Sequence, residues 1–199
     1  MNIQYENFGF YVIDVEYLKF LHDNIDSEVR YDEFKSYDRK PFLGIVVIID
    51  KYTYFIPLTS SKEKHSRWKN VDNAHYLVYE IIDNESKRRN DVVKFYSDKQ
   101  VLKILSALEI KKMIPVPNGY YKRIDFSAIA DEKYRSLLLK EYAFCKKIQD
   151  GILEKARKIY QEQKSTGKVY PYYCDFGKLE SACDDYPIKW NISAETKSP

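Results

Sequence analysis

The stretch Pro57-Leu-Thr-Ser-Ser-Lys-Glu-Lys-His65 gathers hydroxyls, cations and an imidazole into one short segment. The residues just before it, Tyr52 to Leu58, have the aromatic and β-branched content of a strand. Groups at the end of a strand are held firmly by the sheet behind them. The set suits cleavage of an RNA backbone. There the 2′-hydroxyl loses a proton as it attacks phosphorus, the phosphoryl oxygens gain charge, and the leaving 5′-oxygen takes up a proton. Thr59 and Ser60 can donate hydrogen bonds to the phosphate, and Lys40 and Lys62 can clamp it. His65 has the ordinary pKa suited to proton transfer. One donor aimed at developing oxyanion charge is worth about 100- to 1000-fold in rate, and a positioned acid or base about 100- to 10,000-fold. The chain has no obvious acidic cluster of the kind that holds magnesium, so no metal and no cofactor is expected. A blander reading stands beside this one: a polar turn, solvated lysines and a packing histidine.

A path for RNA must come from local clustering, because the net charge is only +3 and most nucleic-acid binders are more basic. Lys62, Lys64, Arg67 and Lys69 follow one another with only Glu63 opposing, and Trp68 among them can stack a base. Lys111, Lys112, Lys122 and Arg123, with Tyr120 and Tyr121, flank a proline-rich turn and can extend a groove. Lys87-Arg88-Arg89 reads as a solvated hairpin tip, and Lys146-Lys147 as the polar face of a helix. The 19 tyrosines are explained better by a composition rich in Tyr, Lys, Ile, Asn and Asp than by base stacking.

The elements that must position these groups read as follows. Gly9 to Val15 is a first strand. Asp14 can cap a helix whose face carries Val15, Leu18, Leu21 and Ile25. Asp26 to Lys40 is polar and aperiodic, a long loop holding Tyr31, Tyr37, Arg39 and Lys40. Phe42 to Ile49 is apolar throughout, as in a central strand buried on both faces. Asp50-Lys51 turns it into the returning strand, where Pro57 weakens the pairing and a polar loop follows from Thr59 to Asn70. His75 to Asp83 and Asp91 to Tyr96 are further strands. Val101 to Leu105 is strand or helix, Met113 to Val116 is short and apolar, and Asn118-Gly119 is a turn. From Asp131 to Gln163 one apolar stripe recurs at steps of three and four, through Tyr134, Leu138, Tyr142, Cys145, Ile148, Ile152, Ala156 and Ile159. Gly151 is placed to kink or split it, and Gly167 ends it. Phe176 to Tyr186 is a last short helix, and the tail from Asn191 is frayed. A hairpin-based antiparallel sheet followed by helices is an α+β order.

The 199 residues, 44% of them hydrophobic, suit a single domain over 1–199 with its core over about 9–165. Three cysteines without tight spacing form neither a zinc set nor a disulfide framework. A reducing, cytoplasmic setting is the simplest reading. No signal peptide is visible near Met1, and the apolar runs are too short to span a membrane.

Arg39-Lys-Pro-Phe-Leu-Gly44, a strand hairpin, Pro57-Leu-Thr-Ser-Ser-Lys62 with His65, and Met113-Ile-Pro-Val-Pro117 together resemble the ToxN/AbiQ family, the toxins of type III toxin–antitoxin systems, which include phage abortive-infection proteins. The resemblance covers roughly residues 9 to 165 and is most specific between Lys40 and Lys62. It implies a strongly bent antiparallel sheet surrounded by helices, with a Kid/MazF-like core and a long C-terminal helical region. It also implies a metal-independent endoribonuclease that leaves a 2′,3′-cyclic phosphate. The implied partner is a small repeated RNA antitoxin, folded as a pseudoknot, which the toxin processes from its precursor and which closes an assembly of alternating protein and RNA. Cellular or phage RNA is the implied substrate. The family's Thr-Ser-x-Lys matches Thr59, Ser60 and Lys62. Its lysine before the Phe-φ-Gly strand matches Lys40. Its loop tyrosine falls near Tyr37, although Tyr31 also fits the longer spacing, and His65 matches a histidine after the motif. Two rival readings remain: a non-catalytic RNA-binding regulator using the same basic surface, and a DNA-directed abortive-infection factor.

Overall fold

A computed structural model describes residues 8–31, 41–49 and 51–187, with backbone alone for 44–49. Lys40, Arg39 and Tyr37, the turn residue Asp50 and the tail from Asn191 therefore lie outside the described residues. Among those described, eight strands form one sheet and four α-helices pack around it. All strand pairs described are antiparallel, so the molecule is α+β.

Strand β1 (Gly9–Ile13) leads into helix α1 (Val15–Asn24). The Asp14 side chain accepts from the backbone N–H groups of Glu16 and Tyr17 at 3.0 and 3.2 Å, which satisfies donors that a helix start otherwise leaves open. Tyr17, Leu18 and Leu21 form the buried face, whereas Val15 stands largely exposed. The hairpin β2 (Phe42–Ile49) and β3 (Tyr52–Ser60) sits at the centre of the sheet. Phe42 and Leu43 point to opposite faces of β2 and both are buried, as a central strand requires.

The order across the sheet is β4–β6–β3–β2–β1–β8. Here β4 is Tyr76–Asp83, β6 is Gln100–Leu108 and β8 is Tyr121–Arg123. Strand β5 (Val93–Phe95) lies on β6, and β7 (Ile114–Pro115) lies on β3. Val101 to Leu105, open between strand and helix in the sequence, is thus strand. Strand β8 has no counterpart among the expected elements; its three residues are mostly polar and pair with Ile13, Val12 and Tyr11.

Strand β3 serves both halves of the sheet. From Tyr52 to Pro57 it pairs with β2, and from Leu58 to Ser60 with β6. Proline, without an N–H, stands where the partner changes. The expected loop from Thr59 is corrected accordingly: Thr59 and Ser60 are the last two ladder residues of β3, opposite Ala107 and Ser106.

The long helical stripe is two helices, α2 (Glu132–Lys147) and α3 (Gln149–Thr166). The break falls at Ile148, not at Gly151. Gly151 has another reason to lack a side chain: a Cβ there would stand 2.7 Å from the Tyr76 hydroxyl. Gly167 closes α3 in the left-handed conformation, φ 69°. Helix α4 (Phe176–Asp185) then packs on β7 and α3. Its buried Glu180 accepts from the hydroxyls of Tyr54 and Tyr160, each at 2.7 Å, and from Lys164 Nζ at 2.7 Å. Tyr17, Tyr54, Tyr120 and Tyr160 are all buried, so much of the abundant tyrosine is core.

Candidate active site

The end of β3 supplies the site's framework. The N–H of Leu58 donates to Pro41 O at 3.2 Å, and the N–H of Ser61 donates to Leu105 O at 3.2 Å. Backbone donors alternate between the two edges of a strand. The N–H of Ser60 therefore faces the edge that Leu58 uses, the one shared with Pro41. Side chains alternate too. Thr59 lies on the face of Ala107, its Oγ1 only 3.4 Å from Ala107 O. Ser60 is exposed on the face of Ser106. The two hydroxyls thus meet a common linkage only around the strand edge that Leu58 shares with Pro41.

Lys62 is exposed in extended backbone (φ −135°, ψ 153°) at the start of the 3-10 turn Glu63–Arg67. Two reciprocal bonds fix it. The N–H of His65 donates to Lys62 O at 2.8 Å, and the N–H of Lys62 donates to Nδ1 of His65 at 3.2 Å. Accepting at Nδ1 requires that nitrogen to be unprotonated, which puts the ring proton on Nε2. Burial, and then the charge of Lys64, lower the His65 pKa to about 4. His65 is 1% exposed and neutral near pH 7. Expected as a proton carrier, His65 stands buried, with its ring accepting from the backbone of Lys62.

The cations after Lys62 are only partly where a groove needs them. Lys64, Arg67 and Lys69 are exposed. Trp68 packs between two imidazoles, its ring centre 4.6 Å from His65 and 4.6 Å from His75, with Lys64 Nζ 5.4 Å from it. It therefore braces the turn while remaining partly exposed. His75 Nε2 lies 2.9 Å from Lys69 O, and Lys94 Nζ donates to Trp68 O and to Asn70 Oδ1 at 2.7 and 2.6 Å.

The second basic group is split. Lys112 is buried and paired with Glu28, and Tyr120 is buried with its hydroxyl donating to Pro187 O at 2.6 Å. Neither stands on the surface as expected, because each is held inside by a partner remote in sequence. Lys111 is half-buried against Tyr173. Lys122 and Arg123 are exposed on edge strand β8. Arg123, Tyr11, Phe42 and Pro57 share one row, which places Arg123 about 14 Å across the sheet from β3.

Two residues at the site escape a reading of the sequence. Arg30 donates through Nε and Nη2 to the two carboxylate oxygens of Glu109, each at 2.8 Å. Glu109 is 1% exposed, and its N–H donates to Pro57 O at 3.2 Å. The fork fastens the chain ahead of residues 32–40 to β3 beside Pro57. The pair is separated by 79 positions, and no local pattern announces it.

Residues 9–184 match the family model described as toxin ToxN of type III toxin–antitoxin systems. The chain is 30% identical over 190 residues to Endoribonuclease ToxN of Bacillus thuringiensis subsp. kurstaki, covering 91% of this chain and 85% of that protein. It is 24% identical over 182 residues to Endoribonuclease AbiQ of Lactococcus lactis subsp. lactis, covering 90% of each. A solved type III toxin, described with selective inhibition by a non-coding RNA pseudoknot, superposes with a TM-score of 0.68 at 29% identity. That match covers 91% of this chain and 98% of the other.

Proposed function

Because the chain belongs to the ToxN toxin family of type III toxin–antitoxin systems, we propose that it is an endoribonuclease acting at the end of β3. The observation that carries this reading is the arrangement of Thr59, Ser60 and Lys62. Two ladder residues end the strand, and a cation follows whose backbone is pinned by a neutral histidine. The Ser60 N–H and the Thr59 and Ser60 hydroxyls donate to the phosphoryl oxygens, and Lys62 stabilises the charge that grows there. Lys40 and Tyr37 complete the site. In support, Pro41, the neighbour of Lys40, is hydrogen-bonded to Leu58 beside Thr59. The RNA 2′-hydroxyl is the nucleophile, a 2′,3′-cyclic phosphate is the product, and no metal takes part. A small repeated pseudoknot RNA is the inhibitor and is itself processed. The protein works in the cytoplasm as one catalytic unit and limits phage infection.

Purified protein and RNA are incubated in EDTA, with Lys62→Ala and Ser60→Ala alongside. Wild type is expected to cleave, and each variant to lose about 100-fold or more in rate while still binding RNA. A 2′-deoxy substitution at the cut linkage should block cleavage. Full activity in both variants, or cleavage of the 2′-deoxy linkage, refutes the reading.

A further inference from the structure

A groove of about 570 Å³ opens at Ser61, the residue between Ser60 and Lys62. It runs between β6 and the first half of α2, with the β4–β5 connection as its far wall. Its size falls within the range of sites that bind small organic ligands. The charges along it are sorted. Lys140 Nζ lies 2.5 Å from Glu80, and Lys103 Nζ lies 3.9 Å from Glu80 and 3.1 Å from Asp91. These two carboxylates are therefore neutralised within the wall. Arg88 and Lys133 line the same groove, both exposed, and neither has a carboxylate partner within 4.0 Å among the described residues. Asn90 and Ser136 stand beside them with amide and hydroxyl groups. The hairpin tip at Lys87–Arg89, read as solvation in the sequence, thus contributes Arg88 to a cleft that starts at Ser61.

We propose that this groove holds the RNA strand on one side of the scissile linkage, with Arg88 and Lys133 meeting its phosphates and Asn90 and Ser136 reading one base edge. The inference rests on the placement of cleavage at Ser60 and Lys62. A polyanion threaded past that point is favoured along a surface whose inner carboxylates, Glu80 and Asp91, are paired with Lys140 and Lys103, whose outer carboxylate, Glu132, lies 3.8 Å from Arg135, and where Arg88 and Lys133 have no carboxylate partner among the described residues. A cleft continuous with Ser61 fits that description. Unpaired guanidinium and ammonium groups suit phosphate, while amide and hydroxyl groups discriminate bases through hydrogen bonds.

The test uses short RNAs sharing one cut linkage, lengthened separately on the 5′ and on the 3′ side. With wild type, lengthening on one of the two sides should lower KM. In Arg88→Ala/Lys133→Ala that gain should vanish, raising KM for the lengthened RNA about tenfold while kcat stays within about twofold and the shortest RNA is cleaved as before. The slope of log KM against log salt should fall by about 0.7 for each phosphate no longer neutralised. Asn90→Ala/Ser136→Ala should flatten the base preference at a single position. Wild-type KM in the double cation variant on both series overturns the proposal, and so does an equal loss on the shortest RNA. Lys62→Ala cleaving like wild type would instead remove the catalytic assignment, a result separate from the KM comparison.

Discussion

Two buried groups titrate in the same pH range with opposite consequences for stability, and replacing one should expose the other. The carboxyl of Glu141, on α2 and 4% exposed, is raised by burial from 4.5 to about 7, with Ser106 pulling slightly the other way. His65 is lowered from 6.5 to about 4. Between about pH 4.5 and 7 the folded protein holds a proton on Glu141 that the unfolded chain has released, so this contribution is lost as pH rises. Between about pH 4 and 6.5 the unfolded chain protonates His65 while the folded protein does not, so this contribution is lost as pH falls. A displacement of the Glu141 size is worth roughly 3 kcal/mol. His65 lies just beneath a solvated turn, and screening reduces its share to roughly 1–2 kcal/mol. In wild type the two slopes offset in part, and the Glu141 slope is the larger. Glu141→Gln keeps a neutral side chain at every pH. It should match wild type near pH 4.5 and exceed it by up to about 3 kcal/mol near pH 8, leaving stability that climbs with pH. His65→Asn should do the reverse and show stability declining from pH 4.5 to 7. Urea denaturation at four or five pH values, with m-values held constant, measures both. If Glu141→Gln runs parallel to wild type from pH 4.5 to 8, the carboxyl is not held protonated by burial and the reasoning fails.

Two further outcomes are expected from the packing. Gly151→Ala normally gains about 1 kcal/mol in a helix, but here the new methyl meets the Tyr76 hydroxyl. The gain should be absent in wild type and recovered in the Tyr76→Phe background, as thermal melts of both pairs would show. Glu180→Ala strands two buried tyrosine hydroxyls and Lys164 and should cost about 3 kcal/mol or more. An unchanged denaturation midpoint would contradict that role for Glu180.

The legible parts of the fold were those with strong periodicity. The central hairpin, the capped first helix and the stripe through α2 and α3 declare themselves by alternation or by steps of three and four. Very short strands carry no such signal, which is why Tyr121–Arg123 passes for a basic patch. The Thr-Ser-x-Lys segment could be located, but its geometry could not. That Thr59 and Ser60 still belong to the ladder depends on β6 arriving from more than forty residues downstream. His65 reads by its ordinary pKa as a proton carrier, whereas burial against Trp68 and the backbone of Lys62 sets its behaviour. Lys112 looks superficial beside Lys111, because its partner, Glu28, is 84 positions away.

The Arg30–Glu109 fork and the Leu58–Pro41 bond have a corollary. They anchor the two borders of residues 31–40 beside adjacent positions of a single strand, Pro57 and Leu58. Lengthening a span whose borders are already fixed costs little, about 0.6 kcal/mol for a doubling. A change of length between these two borders is therefore expected to leave the ladder at Pro57 and Leu58 in place.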